Sequence, residues 1–242
     1  MTNSETPPTA VHPLPRRLLA EALGSALLVA IVVGSGIAAQ RLSPDDVGLQ
    51  LLQNSTATVL GLAVLILVLG PVSGAHFNPV VTIADWWLGR GDADGFSARH
   101  IAPYVAAQVA GAIGGALLAN AMFEAPQGFS GNERASGSHL LAEVVATAGL
   151  VLVIFALVRT GRVALAAPAV GAYIGAAYWF TSSTSFANPA VSVGRVFSDT
   201  FAGIAPSSVG AFTLAQLAGG IVGIALYPAR PIPQPHQGDL HV

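Results

Sequence analysis

The sequence predicts an all-α membrane protein: six transmembrane helices plus two re-entrant half-helices, arranged as an inverted repeat. Three observations predict it. Of 242 residues, 53% are hydrophobic and only 9% charged, against about 25% charged in a soluble domain. Six segments are long and apolar enough to cross a bilayer, which takes about 20 residues. Two short stretches, SGAHFNPVVTIADWW at 73–87 and STSFANPAVSVGRVF at 183–197, read almost alike, and their asparagines lie 110 residues apart.

Taken in order, residues 1–15 are polar and Pro-rich and read as a disordered N-terminal tail. They lack the pattern of a cleavable leader, so the first apolar segment is expected to be retained. Spans follow at about 17–39, 49–70, 101–123, 140–159, 164–182 and 208–228. Two apolar pieces half that length, about 79–88 and 189–198, each follow directly on an Asn-Pro. Residues 230–242 form a C-terminal tail, leaving 16–229 as a single membrane domain. The 27 glycines suit close helix packing, notably GAIGGA at 111–116 and GGIVG at 219–223.

Basic residues set the orientation. All ten are Arg. With the N-terminus inside, Arg16, Arg17, Arg90, Arg99, Arg159, Arg162 and Arg230 fall inside, and Arg41, Arg134 and Arg195 outside. Seven against three predicts N- and C-termini in the cytoplasm and a chain in the inner (plasma) membrane.

LAEAL at 19–23 opens the first span and LAEVV at 141–145 the fourth; AQVAG at 107–111 lies in the third and AQLAG at 215–219 in the sixth. Each half, about 17–123 and 140–228, thus holds three spans and one half-helix. Three is odd, so the halves insert with opposite orientation, a design that places a permeation site at their interface.

Short helices at membrane depth are tolerated only when buried or lining a cavity. Asn is a preferred N-cap and Pro favours the first helical turn, so Asn78 and Asn188 cap the half-helices. Their positive dipole ends meet mid-membrane. The free asparagine amides can donate to a passing oxygen while the site repels cations.

These paired boxes resemble those of the major intrinsic protein family, the aquaporins and aquaglyceroporins. Asn78-Pro79-Val80 matches the family's first Asn-Pro-Ala box with Val for Ala, and Asn188-Pro189-Ala190 matches the second fully. The resemblance covers about residues 17–228. It implies a right-handed aquaporin-like bundle, a homotetramer with one pore per subunit, and a pore centre at those six residues. Glu21 and Glu143 match the family's buried glutamates that brace the re-entrant loops.

The family also carries a selectivity filter on the extracellular side of the centre. Counting from the boxes places it at Thr58, Ala176, Ser185 and Val191, with Tyr173 or Ala177 as alternatives for the fifth-span position. Val191 stands where the family has Arg, so the resemblance implies a wide, mildly polar opening. Arg195, four residues on, either restores a positive charge at the outer mouth or pairs with its i+4 neighbour Asp199.

His76 is expected in the cytoplasmic vestibule, where it could act as a pH gate. Trp86, Trp87, Tyr178 and Trp179 are expected to be interface anchors or packing, Asp85 a solvated or paired residue, and Gln108 and Gln216 interhelical hydrogen-bond donors.

The expected function is passive passage of small neutral solutes: water, glycerol-like polyols and neutral metalloid acids such as arsenous acid. The last follows from the likeness of the Arg-less filter to bacterial channels found with arsenic-resistance genes. A strict water channel and an ion-coupled secondary transporter are the alternatives. No cofactor, metal or nucleic acid is expected: the chain has no Cys and a net charge of −2, and no basic patch or metal-spaced His cluster. Nor does any Ser-His-Asp pattern suggest an enzyme.

Overall fold

A computed structural model describes residues 12–92 and 95–227. The tail assignments beyond residue 227 and before residue 12 lie outside it, and only residues 12–15 of the expected tail are described. The described residues are helical without strands: Leu14–Leu42 (α1), Val47–Ser73 (α2), Pro79–Gly89 (α3), Ile101–Met122 (α4), Gly137–Arg159 (α5), Ala166–Phe180 (α6), Pro189–Gly194 (α7) and Pro206–Leu226 (α8). A 3-10 turn, Arg195–Phe197, continues α7. Among them, six helical stretches have the length and hydropathy to span a membrane. The expected α7 half-helix of ten residues is shorter and tightens into that 3-10 turn, because Ser198 turns extended.

Small residues set the helix spacing. A Cβ at Gly111 or Gly115 would collide with the carbonyls of Ala22 and Ala26, so α4 rides directly on the α1 backbone. Gly219 and Gly223 do the same for α8 on the Val144 and Ala148 carbonyls of α5. Backbones this close gain dispersion contacts, the main attraction between helices in lipid. The two pairs are repeat equivalents, and each supports one half of the molecule.

The re-entrant loops are held from beneath. Glu21 Oε1 accepts from Ser73 Oγ (2.6 Å) and His76 N (3.0 Å), and Oε2 from Phe77 N (2.8 Å) and Gln108 Nε2 (2.7 Å). Glu143 repeats the pattern: Oε1 accepts from Phe186 N (2.9 Å), Oε2 from Ala187 N (2.8 Å) and Gln216 Nε2 (2.6 Å). Both glutamates are fully buried. Gln108 Nε2 also reaches Thr82 Oγ1 and Gln216 Nε2 reaches Ser192 Oγ, tying each brace to its half-helix.

The loops need this support because their backbone is costly. Ala75 and Phe77 have φ of 50° and 49°, and Ser185 and Ala187 of 50° and 47°. Each such non-glycine residue costs on the order of 1–3 kcal/mol and persists only where its surroundings demand it. Here the conformation aims successive N–H groups at the glutamate and turns the intervening carbonyls the other way.

Glu143→Gln replaces an acceptor with a donor that faces two donors. Thermal unfolding in detergent is expected to show a loss of about 1–3 kcal/mol, the cost of an unsatisfied buried group; an unchanged transition would mean the loop does not rely on this brace.

Candidate pore

Each half-helix begins as capping rules require. Asn78 Oδ1 accepts from Val80 N at 2.9 Å, and Asn188 Oδ1 from Ala190 N at 3.0 Å and Val191 N at 3.2 Å. With the oxygens occupied, the amide nitrogens point outward and cross the repeat axis. Asn78 Nδ2 donates to Ala187 O and Asn188 Nδ2 to Phe77 O, both at 2.8 Å. The acceptors are the carbonyls of the two left-handed residues just before each asparagine. Each amide uses one of its two N–H groups in this exchange. No protein acceptor is recorded for the second among the described residues, and both asparagines border a cavity of about 310 Å³.

That cavity is a single space running from His76 and Asp85 at one end to Arg195 at the other. Leu28, Val32, Leu62, Leu150, Val170 and Ile174 form much of its wall. Apolar walls with few convergent polar groups suit a solute that must bind weakly and move on.

Among the box residues, only the asparagines border the cavity; Pro79, Val80, Pro189 and Ala190 are buried behind them. Val80 fits in place of the family's Ala because Gly220 of α8 leaves room for its Cγ1. It packs against Ala84, Val151 and Phe155. The next residue, Val81, faces the cavity, as does its repeat equivalent Val191. Val81 is absent from the expected pore residues, although both boxes read Asn-Pro-apolar-Val followed by a hydroxyl residue.

Thr58, Ser185 and Val191 border the cavity. Ala176 does not: it sits on the exposed outer face of α6. Neither alternative takes its place. Tyr173 donates to Ala146 O at 3.0 Å, and Ala177 is fully buried away from the cavity. Tyr178 occupies the position instead. Thr58 Oγ1 donates to Asn54 O at 2.9 Å, so the Tyr178 hydroxyl at 3.2 Å is the donor to Thr58. The count from Asn188 slipped by two residues because α6 ends at Phe180 and an irregular turn follows. Ser185 Oγ is buried, with no hydrogen-bond partner among the described residues. Trp179, by contrast, is half exposed and donates to Ser55 Oγ, in keeping with an anchor.

Arg195 does not pair with Asp199. It is 2% exposed, borders the cavity, donates through Nε to Ala202 O and lies over the Phe186 ring with Cζ 3.5 Å from its centroid. Asp199 accepts from Gly131 N instead. The opening therefore carries an aromatic ring and a guanidinium, neither of which Thr58, Ala176, Ser185 and Val191 imply.

At the other end His76 borders the cavity, with Nε2 3.4 Å from Asp85 Oδ2 and Nδ1 3.2 Å from Thr82 Oγ1. Its ring packs against Phe96 and Tyr104. Asp85, at the end of the cavity, is paired rather than merely solvated. No group of acidic, His or Cys side chains among the described residues could hold a metal ion.

The family described as Major intrinsic protein matches residues 10–197. The chain is 49% identical over 225 residues to Aquaglyceroporin AqpS of Rhizobium meliloti (strain 1021), covering 90% of this chain and 94% of that protein. It is 30% identical over 235 residues to Aquaporin Z of Brucella melitensis biotype 1, covering 87% and 96%. Its fold is similar to the X-ray structure of the aquaglyceroporin from Plasmodium falciparum, with a TM-score of 0.65, 20% identity, and 88% and 93% of the two chains covered. Matching the family across most of its length, and built around two opposed, cross-bonded Asn-Pro half-helices, the chain belongs to the major intrinsic proteins and is a membrane channel rather than an enzyme.

Proposed function

We propose that the chain is a passive channel for small neutral solutes: water, glycerol-like polyols and neutral metalloid acids such as arsenous acid. One observation carries the reading. The asparagine exchange leaves one N–H from each half at the centre of a continuous, largely aliphatic passage. A hydroxylated solute can accept from both while its carbon or metalloid face slides along Leu, Val and Ile. Likeness to an aquaglyceroporin over nine-tenths of the chain supports polyols over water alone. Arsenous acid is included as a neutral, glycerol-shaped triol.

An ion-coupled transporter needs charged groups near the midplane. Along this cavity the ionisable groups lie at its two ends, and Glu21 and Glu143 are used up by loop N–H groups and glutamines.

We further propose a homotetramer in the inner (plasma) membrane, with both termini cytoplasmic. Large apolar residues such as Leu19, Leu67, Leu141 and Ile221 are more than 60% exposed on a single protomer. The start of α1 shares a face with the α3–α4 connection through Arg17, which lies over the Phe96 and Tyr104 rings. The Arg bias assigns that face to the cytoplasm and the Arg195 mouth to the outside.

Purified protein in liposomes is expected to reswell in glycerol and in arsenous acid faster than empty liposomes by stopped-flow light scattering. Reswelling equal to empty liposomes would remove the channel reading. Val191→Arg is expected to lower glycerol flux by about tenfold, the scale of a steric mismatch in a pocket, and water flux less; equal loss of both with normal yield would mean that residue 191 does not line the constriction. The chain has no cysteine, so single cysteines report sidedness cleanly. Asp45→Cys is expected to react with a membrane-impermeant maleimide in intact cells and Arg162→Cys only after lysis; the reverse pattern would invert the topology.

A further inference from the structure

The two mouths of the cavity carry opposite charges at one repeat position. Asp85 lies seven residues after Asn78 and Arg195 seven after Asn188. Each contacts the ring two residues before its asparagine: Asp85 meets His76 at 3.4 Å, and Arg195 lies over Phe186 at 3.5 Å. Both border the same cavity. The repeat conserved the architecture of this position and not its charge.

We propose that Arg195 is the charge-selecting residue of this pore, a buried cation that lets uncharged hydroxylated solutes pass and turns small cations back. The proposal rests on the channel reading above. In this pore the residue directly after the second box, Val191, is apolar, so the positive charge has moved one turn along the half-helix.

The surroundings of Arg195 argue against a brace alone. Its Nε is bound to Ala202 O. For its two terminal amino groups no acceptor is recorded among the described residues, and Arg195 lines the cavity. Among the described residues no carboxylate pairs with it. Glu143 is taken by Phe186 N, Ala187 N and Gln216 Nε2, and Asp199 by Gly131 N. Glu133 is held by the hydroxyls of Ser207 and Ser208. The Tyr178 hydroxyl is committed to Thr58. A buried charge without a counter-charge is costly, and in membrane proteins such groups mark function.

A second cation reinforces the first. Arg134 approaches the same Phe186 ring with Cζ 5.4 Å from its centroid, while donating to Gly203 O at 2.8 Å and Phe201 O at 2.9 Å. Two guanidinium groups thus flank one ring at the mouth, walled by apolar side chains. Low-dielectric walls strengthen the field felt inside the passage. A neutral triol gains donors from Arg195 there; a potassium or hydronium ion meets repulsion before it reaches the asparagines.

The test uses the full chain in potassium-loaded liposomes, with potassium efflux and glycerol reswelling read on the same preparation. Wild type is expected to swell with glycerol and hold potassium. Arg195→Gln keeps a donor for Ala202 but no charge; it is expected to release potassium about tenfold faster or more than wild type, with glycerol reswelling still above empty liposomes. Arg195→Lys is expected to stay tight at neutral pH and to leak once the pH passes the lysine range, about 10.4 or lower beside Arg134, where wild type stays tight. Arg195→Gln liposomes that pass glycerol and hold potassium as well as wild type would reduce Arg195 to a loop brace. Should Arg195→Gln not reconstitute, an Arg195→Lys channel that stays tight across the pH series overturns the proposal. Wild type that passes glycerol and leaks potassium overturns it too and leaves the channel reading standing. Wild type that passes no glycerol removes the channel reading itself.

Discussion

The molecule depends on an exchange of two hydrogen bonds across its repeat axis, Asn78 Nδ2 to Ala187 O and Asn188 Nδ2 to Phe77 O. At the middle of a bilayer backbone polar groups turned away from the passage meet no water, so each half must satisfy the polar atoms of the other. The exchange explains the unusual backbone nearby. Phe77 and Ala187 adopt left-handed conformations that present their carbonyls to the opposite asparagine and their N–H groups to the glutamate behind. Glutamate, strained loop, asparagine and half-helix form one unit, repeated twice and joined tip to tip.

Because both tips are locked, the passage beside them has a defined shape. Its wall is largely aliphatic, and its polar residues are few: the two asparagines, the Thr58–Tyr178 pair, Ser185, and the charged residues at the mouths. The departures from symmetry lie at the functional positions. Val80 stands opposite Gly220 where Ala190 stands in the other half, and His76 and Asp85 occupy the places of Phe186 and Arg195. The braces, the hydroxyls of Thr82 and Ser192 and the glutamines Gln108 and Gln216 stay matched. Residues that hold the loops answer to the same geometry in both halves, whereas Val80 answers to its packing against Gly220, and His76, Asp85, Phe186 and Arg195 to two different mouths.

The Arg195 mouth shows how position along a short helix changes a side chain's work. At residue 191 an arginine would project across the constriction. At residue 195 the chain has entered a 3-10 turn, and the guanidinium folds against Phe186 and Ala202 while still bordering the cavity. The opening gains space near Val191 and keeps a positive charge one turn away. Tyr178 adds bulk from the facing helix through its bond to Thr58.

Much of this was legible in the primary structure, since membrane burial demands long apolar runs and the two boxes mark their own caps. Six spans, two half-helices, the inverted repeat, the asparagines at the half-helix tips, the bracing glutamates and three residues that line the cavity follow from pattern and resemblance. Tertiary structure alone decided the rest. Ala176 gave way to Tyr178 because the turn after α6 has no fixed length that counting could supply. Arg195 turned inward rather than toward Asp199 because i+4 adjacency holds only where the helix continues, and this one tightens and ends. Val81 emerged only once opposing helices showed which faces were left for the solute: periodicity tells which residues share a face, and packing decides what that face meets.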